Sequence, residues 1–160
     1  MIKPAKTRDS LPEIYVDADA CPVKAEVCKV ARRYRLNVTL VSNSRMRVTD
    51  PDVARLVIVD GEFNAADDWI VAQVAAGDIV ITADIPLASR CVKSGARVLS
   101  PTGHEWSDAN VGHALATRDL LSELREAGAM LGGPPPFQPR DRSRFLHNLD
   151  RIIQSLKRSA

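Results

Sequence analysis

Residues 14–24 read IYVDADACPVK: a short unbroken apolar run, two carboxylates two positions apart, then a proline and the start of a helical pattern. Continuous rather than alternating apolar residues mark a strand covered on both faces, the usual state of a strand in a parallel sheet. Residues 14–18 are therefore read as a buried strand. Pro22 suits the first helical turn, where its missing N–H costs nothing. Val23, Val27, Val30, Ala31 and Tyr34 follow at helical spacing. A strand that ends near Asp17 and gives way to a helix after Asp19 opens a β-α-β-α rhythm, and the rest of the chain continues it.

Residues 38–42, preceded by Asn37, form the second expected strand, and SNSRMRVTDPD (42–52) is a polar connection. RLVIVD (55–60) is the third strand. EFNAADDWIVAQVAAGD (62–78) reads as a helix with Ile70, Val71 and Val74 inward and Gly77 as its stop. DIVITAD (78–84) is the fourth and most apolar strand, Pro86 opens a helix over 87–94, and ARVLSP (96–101) holds a short fifth strand. No strand is expected after Pro101. Residues 109–127 read as one long helix, GGPPPFQP (132–139) as a rigid break, and 144–157 as a final basic helix. The expected fold class is α/β: a central, mostly parallel sheet of four to five strands, helices on both faces, and C-terminal helices. One domain spans residues 12–160, and residues 1–11 read as a disordered tail. The segment after the proline break is too short to fold alone, so it packs back on the sheet or reaches a partner.

Apolar residues make up 45% of the 160 and charged residues 26%, as in ordinary globular proteins. No run approaches the ~18 apolar residues of a membrane span, and the N-terminus lacks a signal-peptide core. Cys21, Cys28 and Cys91 are odd in number and have no metal-ligand spacing, so a disulfide framework or zinc site is not expected, and a reducing cytoplasm is. The net charge of +2 hides an uneven distribution, because residues 140–160 hold six Arg/Lys against two Asp. Lys29, Arg32, Arg33, Arg35, Arg45 and Arg47 form a second basic run with no acid inside it. Such runs bind phosphate backbones or form solvated faces.

In an open parallel sheet, ligands gather beyond the carboxyl ends of the strands. Asp17 and Asp19 fall at that end of strand one and Asp84 at that end of strand four, while Asp67 and Asp68 start the helix after strand three. Anions held together repel unless a cation lies between them, and Mg²⁺ or Mn²⁺ takes such hard oxygen ligands. The ion can polarise a phosphate and lower the pKa of a bound water, the chemistry of metal-dependent nucleases. The bland alternatives are an N-cap role for Asp19 or Asp67 and simple turn formation. Asp67 and Asp68 point in different directions on a helix, so one of them faces the site. Asp60 is a reserve candidate.

Cys21 precedes a helix N-terminus, which lowers a thiol pKa, but it has no histidine partner nearby in sequence. Cys28 and Cys91 read as core residues, and His104, His113 and His147 as surface or capping residues. Ser42 and Asn43, ending strand two, are placed to touch phosphate or metal-bound water, or simply form a turn. Trp69 and Trp106 read as packing residues rather than base-stacking platforms.

VDADACPV, AADDWIV, GDIVITADIPLA and a late GGP followed by RDRSRF resemble the YaiI/YqxD family over about residues 14–156. That family is similar to a branch of the PIN-like nuclease superfamily. The resemblance implies a PIN-like domain and an acidic Mg²⁺ or Mn²⁺ site made by Asp17, Asp67 and Asp84, with Asp19 in the DAD signature. The superfamily's further acids have no clear counterpart here: Glu26 is spaced differently, and no acid follows Asp84 until Glu105 and Asp108. One ion or two remain open on this ground.

The expected activity is hydrolysis of RNA or other nucleic-acid phosphodiesters, with Arg45, Arg47, Arg140, Arg142 and Arg144 gripping the backbone. Two rivals stand beside it. A haloacid-dehalogenase-like phosphatase would use the D-x-D pair with Ser42 on phosphate, although its motif places a hydroxyl residue where Cys21 stands. A non-catalytic RNA-binding module would keep the scaffold and lose the chemistry.

Overall fold

The computed structural model describes residues 11–62, 64–133 and 135–159, so the expected tail lies outside the described residues except for Leu11. The first strand, β1 (Ile14–Asp17), is followed by α1 (Lys24–Tyr34), β2 (Val38–Ser42) and β3 (Ala54–Ile58). Then come α2 (Ala65–Gln73), β4 (Ile79–Ile81), α3 (Ile85–Lys93), β5 (Arg97–Leu99) and β6 (Glu105–Trp106), and finally α4 (Asp108–Glu126) and α5 (Pro139–Arg158). The six strands form one sheet in the order β3-β2-β1-β4-β5-β6. All neighbours are parallel except β5 and β6. The protein is a single α/β domain with a mostly parallel sheet. Among the described residues no helix is long and apolar enough to cross a membrane.

The alternation of β1 divides the core in two. Ile14, Val16 and Ala18 join Val27, Val30 and Ala31 of α1 and Phe145, Leu149, Ile152 and Ile153 of α5 on one face. Tyr15 meets Ile70 of α2 and Leu87, Ala88 and Cys91 of α3 on the other. Helices thus cover both faces, as the continuous apolar strands require. The C-terminal helix packs back on the sheet. Its four fully buried apolar side chains each contribute about 1.5–3 kcal/mol on removal from water.

Several boundaries differ from the sequence reading. A sixth strand exists where none was expected after Pro101. The carbonyl of His104 accepts from the Ser100 N–H (2.8 Å) and Gly103 has φ +90°, so residues 100–104 reverse the chain and lay β6 against β5. Helix α2 stops at Gln73 rather than at Gly77, because Val74 is already extended (ψ 140°). The buried Asp78 carboxylate then accepts the N–H groups of Ala75 (2.9 Å) and Glu13 (3.0 Å), joining the end of α2 to the start of β1. Pro22 lies ahead of α1, whose N-cap is Val23. Helix α5 begins earlier than residue 144, at Pro139, because the Asp141 carboxylate accepts the Gln138 N–H (2.9 Å) and closes its first turn.

Gly103 also docks α5. Asn148 donates its side-chain N–H to the Gly103 carbonyl, and a Cβ on Gly103 would lie 2.7 Å from Arg144 Cγ and 2.8 Å from its backbone carbon. Gly103→Ala therefore combines a left-handed backbone with a clash against helix backbone. It should lower unfolding free energy by roughly 2–4 kcal/mol in urea denaturation. Gly132→Ala, with open space around it, should stay within about 0.5 kcal/mol of the native protein. Equal effects of the two substitutions would contradict this account of the α5 clasp.

Candidate functional site

The strand order reverses between β1 and β4. From β1 the chain winds outward through β2 and β3, crosses back, and winds the other way through β4 and β5. The connections leaving the carboxyl ends of β1 and β4 diverge, and the crevice between them is where open α/β sheets bind ligands. Asp17 is the last residue of β1, at this junction.

Thr82, at the end of β4, organises the crevice. Its hydroxyl donates to Asp17 Oδ2 (2.9 Å), and its oxygen accepts the Asp84 N–H (3.0 Å). Asp84 is the N-cap of α3, with Oδ1 accepting the Leu87 N–H (3.0 Å). The capping role considered for Asp19 or Asp67 thus belongs to Asp84. Sequence reasoning passed over Thr82; its signal was a lone hydroxyl at the end of an apolar run, just ahead of Ala83 and Asp84.

Asp67, in the first turn of α2, completes the acidic edge. Burial pushes its pKa from 3.8 to about 6, and the charges of Asp84 and then Asp17 add to the rise. Burial likewise raises Asp17, opposed by the Thr82 hydrogen bond and reinforced by Asp84 and Asp19. Asp84 and Asp17 are therefore close enough to Asp67 to disfavour its ionisation, and Asp84 and Asp19 close enough to disfavour that of Asp17. Asp68 is not among them on equal terms, since it pairs with Arg90 at 2.8 Å on the surface. Asp60 follows β3, two strands away from the crevice.

Asp19 leans towards β2. Its Oδ2 accepts the Asn43 N–H (3.0 Å), and its Oδ1 lies 2.7 Å from the Ser42 hydroxyl. Ser42 is fully buried and also bonds to Ser44, so it orients Asp19 and does not face an incoming phosphate. Ala20 then adopts φ +60°, a left-handed conformation that costs a non-glycine residue about 1–2 kcal/mol. The strained turn sits between the DAD pair and Cys21. The Cys21 thiol is buried, which pushes its pKa up against the smaller lowering effects of the Val23 N–H and Lys24. The helix-terminus argument for a lowered thiol pKa fails here because desolvation outweighs it.

Among the described residues no group of three or more His, Cys, Asp and Glu is drawn together tightly enough to hold a metal ion. The acids further along are engaged elsewhere: Glu105 pairs with Arg97 (2.7 Å) and Arg151 (3.7 Å). Glu26 pairs with Arg142 (3.1 Å).

The basic residues divide. Arg45 and Arg47 are exposed on the connection after β2, whose Met46 and Val48 pack against the α1–α5 core. Arg140, Arg142 and Arg144 lie in the first turns of α5. Arg142 is committed to Glu26 and stands 5.5 Å over the Phe137 ring. Arg144 packs against Gly103.

Asp67 gives a pH test. A carboxyl whose folded pKa exceeds its unfolded value binds more protons when folded, so it destabilises the fold as pH rises from 3.8 to about 6. In chelator-treated buffer at pH 7, Asp67→Asn should be more stable than the native protein by ~1 kcal/mol, allowing for partial exposure. The difference should vanish below pH 4. A pH-independent difference in urea unfolding would remove the electrostatic reading.

A family described as "Uncharacterized BCR, YaiI/YqxD family" matches residues 15–155. A UPF0178 protein of Azorhizobium caulinodans is 53% identical over 146 residues, covering 91% of this chain and 92% of that protein. One from Agrobacterium fabrum is 53% identical over 147 residues, covering 92% and 96%. A relative from Rhodopseudomonas palustris is 50% identical over 158 residues, covering 99% of this chain and 93% of its own length. No solved structure matches the chain.

Proposed function

This chain belongs to the YaiI/YqxD family, and we propose that its acidic edge is a divalent-metal site for hydrolysing nucleic-acid phosphodiesters. The observation that carries the reading is the convergence of Asp17 from the end of β1, Asp84 from the start of α3 and Asp67 from the first turn of α2 at the topological switch point, where burial and neighbouring carboxylates raise Asp17 and Asp67. Part-buried anions with no cation held between them are unfavourable, and perturbed carboxylates in a crevice mark functional sites.

The donor set suits Mg²⁺ or Mn²⁺. These ions keep several waters and take only one or two protein carboxylates directly, so a looser arrangement than a full protein cage fits them. Asp17 and Asp84 would be the direct ligands. Each has one oxygen fixed by a hydrogen bond, from Thr82 or Leu87, leaving the other for the ion. Asp67 and Asp19 would hold its waters. Bound there, the ion would supply charge neutralisation for a phosphate and a water of lowered pKa. The protein's own contribution is positional. Thr82 locks the Asp17 rotamer, the α3 cap fixes Asp84, and Ser42 with Asn43 fixes Asp19.

RNA is the proposed substrate, gripped by Arg45 and Arg47 after β2 and by Arg140 at the start of α5. The cytoplasm is the proposed compartment, in keeping with the free, buried Cys21, Cys28 and Cys91. The phosphatase reading loses its phosphate contact, because Ser42 is buried under Asp19. A metal-indifferent RNA-binding module is the second reading, favoured by the lack of a tight ligand cluster among the described residues.

Mn²⁺ should raise the melting temperature of the native protein, since a ligand that binds only the folded state stabilises it by mass action. Asp17→Asn combined with Asp84→Asn should abolish the shift, while asparagine preserves the cap at position 84. Single-stranded RNA should be cleaved only with the metal and only by the native protein. An Mn²⁺ shift surviving in the double variant would place the metal elsewhere. Tight RNA binding without metal dependence or cleavage would select the second reading.

The backbone grip is tested separately. Replacing Arg45, Arg47 and Arg140 together with Ala should weaken single-strand binding and flatten its salt dependence. The log–log slope should fall by about 0.7 for each phosphate that is no longer neutralised. Arg142 is left in place because its removal would strand Glu26. An unchanged slope in the folded triple variant would free these arginines from the role.

A further inference from the structure

The loops that carry Asp19 and Asp84 also wall a second feature. Ala20, directly after Asp19, and Ala83, directly before Asp84, line a pocket of about 450 Å³ at the same edge of the sheet. Its other walls include His104, Trp106 and Phe137. His104 meets Trp106 edge to face with ring centroids 4.3 Å apart, and Arg142 lies over Phe137. Trp69, by contrast, packs edge-on against Tyr15 in the core. Both tryptophans pack against the α2–α3 side of the core, as expected, and Trp106 in addition shows a face to this pocket.

The lining is apolar and aromatic, with hydroxyl groups at one end, where Thr102 bonds to Ser100 at 2.9 Å. Flat apolar walls with a few polar groups suit a planar heteroaromatic ring. The position narrows the choice. Each carboxylate loop contributes a wall residue adjacent in sequence to its Asp, so with the divalent cation proposed for the acidic edge, an anionic substituent on a ring seated here would be held beside that edge. Cations approach from the α5 side. A ring joined through a short linker to a phosphate is a nucleotide.

We propose that this pocket receives one unstacked nucleobase of a single-stranded nucleic acid whose adjoining phosphate lies at Asp17 and Asp84. The proposal deepens the phosphodiesterase reading and rests on it for the placement of the phosphate. It implies a preference for single strands, because a paired base is held in its stack and cannot enter. The Trp106 and Phe137 walls supply sequence-tolerant contact, while Thr102 and His104 stand where a base edge would be read.

The experiment uses Trp69→Phe, which leaves Trp106 as the only one of the two tryptophans, in buffer containing Ca²⁺ to neutralise the acidic edge. A short uridine oligoribonucleotide is titrated against an otherwise identical oligomer with abasic sites. The base-bearing strand should quench Trp106 fluorescence saturably, and the abasic strand should not. His104→Ala, an exposed change, and Thr102→Phe, which fills the rim, should each weaken binding of the base-bearing strand about 10-fold. Neither should weaken binding of the abasic strand. Equal quenching by both oligomers, no quenching, or unchanged affinity in both pocket variants overturns the proposal. The two readings separate cleanly. Base-dependent quenching without any metal-dependent cleavage keeps the pocket and removes the nuclease, whereas cleavage and binding indifferent to the base keep the nuclease and remove the pocket.

Discussion

β1 is hydrogen-bonded on one side to β2 and on the other to β4, and the placement of everything at the acidic edge follows from that double pairing. A parallel strand needs a crossover to reach each neighbour, and the two crossovers on either side of β1 leave in opposite directions. Helix α1 goes to one face and α3 to the other. The backbone of β1 is satisfied on both edges up to Asp17, and there the flanking loops separate. The crevice is thus a consequence of sheet connectivity, and its chemistry comes from the residues that happen to end β1 and β4.

Those residues are arranged against their own electrostatics. Asp67 reaches about 6 and Asp17 is raised as well, both chiefly through burial and then through neighbouring carboxylates. Neutral partners hold the acids in place: Thr82 on Asp17, Ser42 and the Asn43 N–H on Asp19, and the Leu87 N–H on Asp84. Orientation without neutralisation is the condition in which a cation is most strongly attracted. The left-handed Ala20 adds local strain in the same loop. The cation that does act on these acids is Arg90 of α3, which pairs with Asp68 at the surface and partly offsets the rise at Asp67.

The C-terminal half is built differently. Helix α5 is part of the core, clasped by Gly103 and Asn148 and joined to α1 through Arg142–Glu26, Arg33–Asp150 and the Tyr34–Asp150 hydrogen bond. Helix α4 buries Val111 and packs on α3, leaving Leu120, Leu121 and Leu124 exposed. Because α5 starts at the carboxyl edge of the sheet, Phe137 just ahead of it becomes a wall of the aromatic pocket. A segment whose sequence reads as a final basic helix therefore supplies part of the core and, with the residue ahead of it, a wall of the pocket.

The local elements were legible in the sequence because they depend on neighbours in the chain. The unbroken apolar runs of β1 and β4, Pro86 in the first turn of α3 and the periodic valines of α1 report directly on burial and backbone preference. They placed Asp17 at the end of β1, whereas Asp84, expected to end a strand over 78–84, caps α3 three residues beyond the end of β4 at Ile81. The reading failed where a distant contact decides the outcome: Asp78 ties Ala75 to Glu13 and α2 stops early, and the 100–104 reversal finds a partner in β5. Tertiary structure alone decided that β1 and β4 are neighbours, that Thr82 bridges Asp17 and Asp84, and that Ser42 is buried beneath Asp19. It also decided that desolvation overrides the helix-terminus effect at Cys21. The physical reason is common to all of these: strand pairing, burial and charge coupling are set by separation in space, and residues 65 positions apart in the chain, such as Asp17 and Thr82, meet only once the sheet has formed.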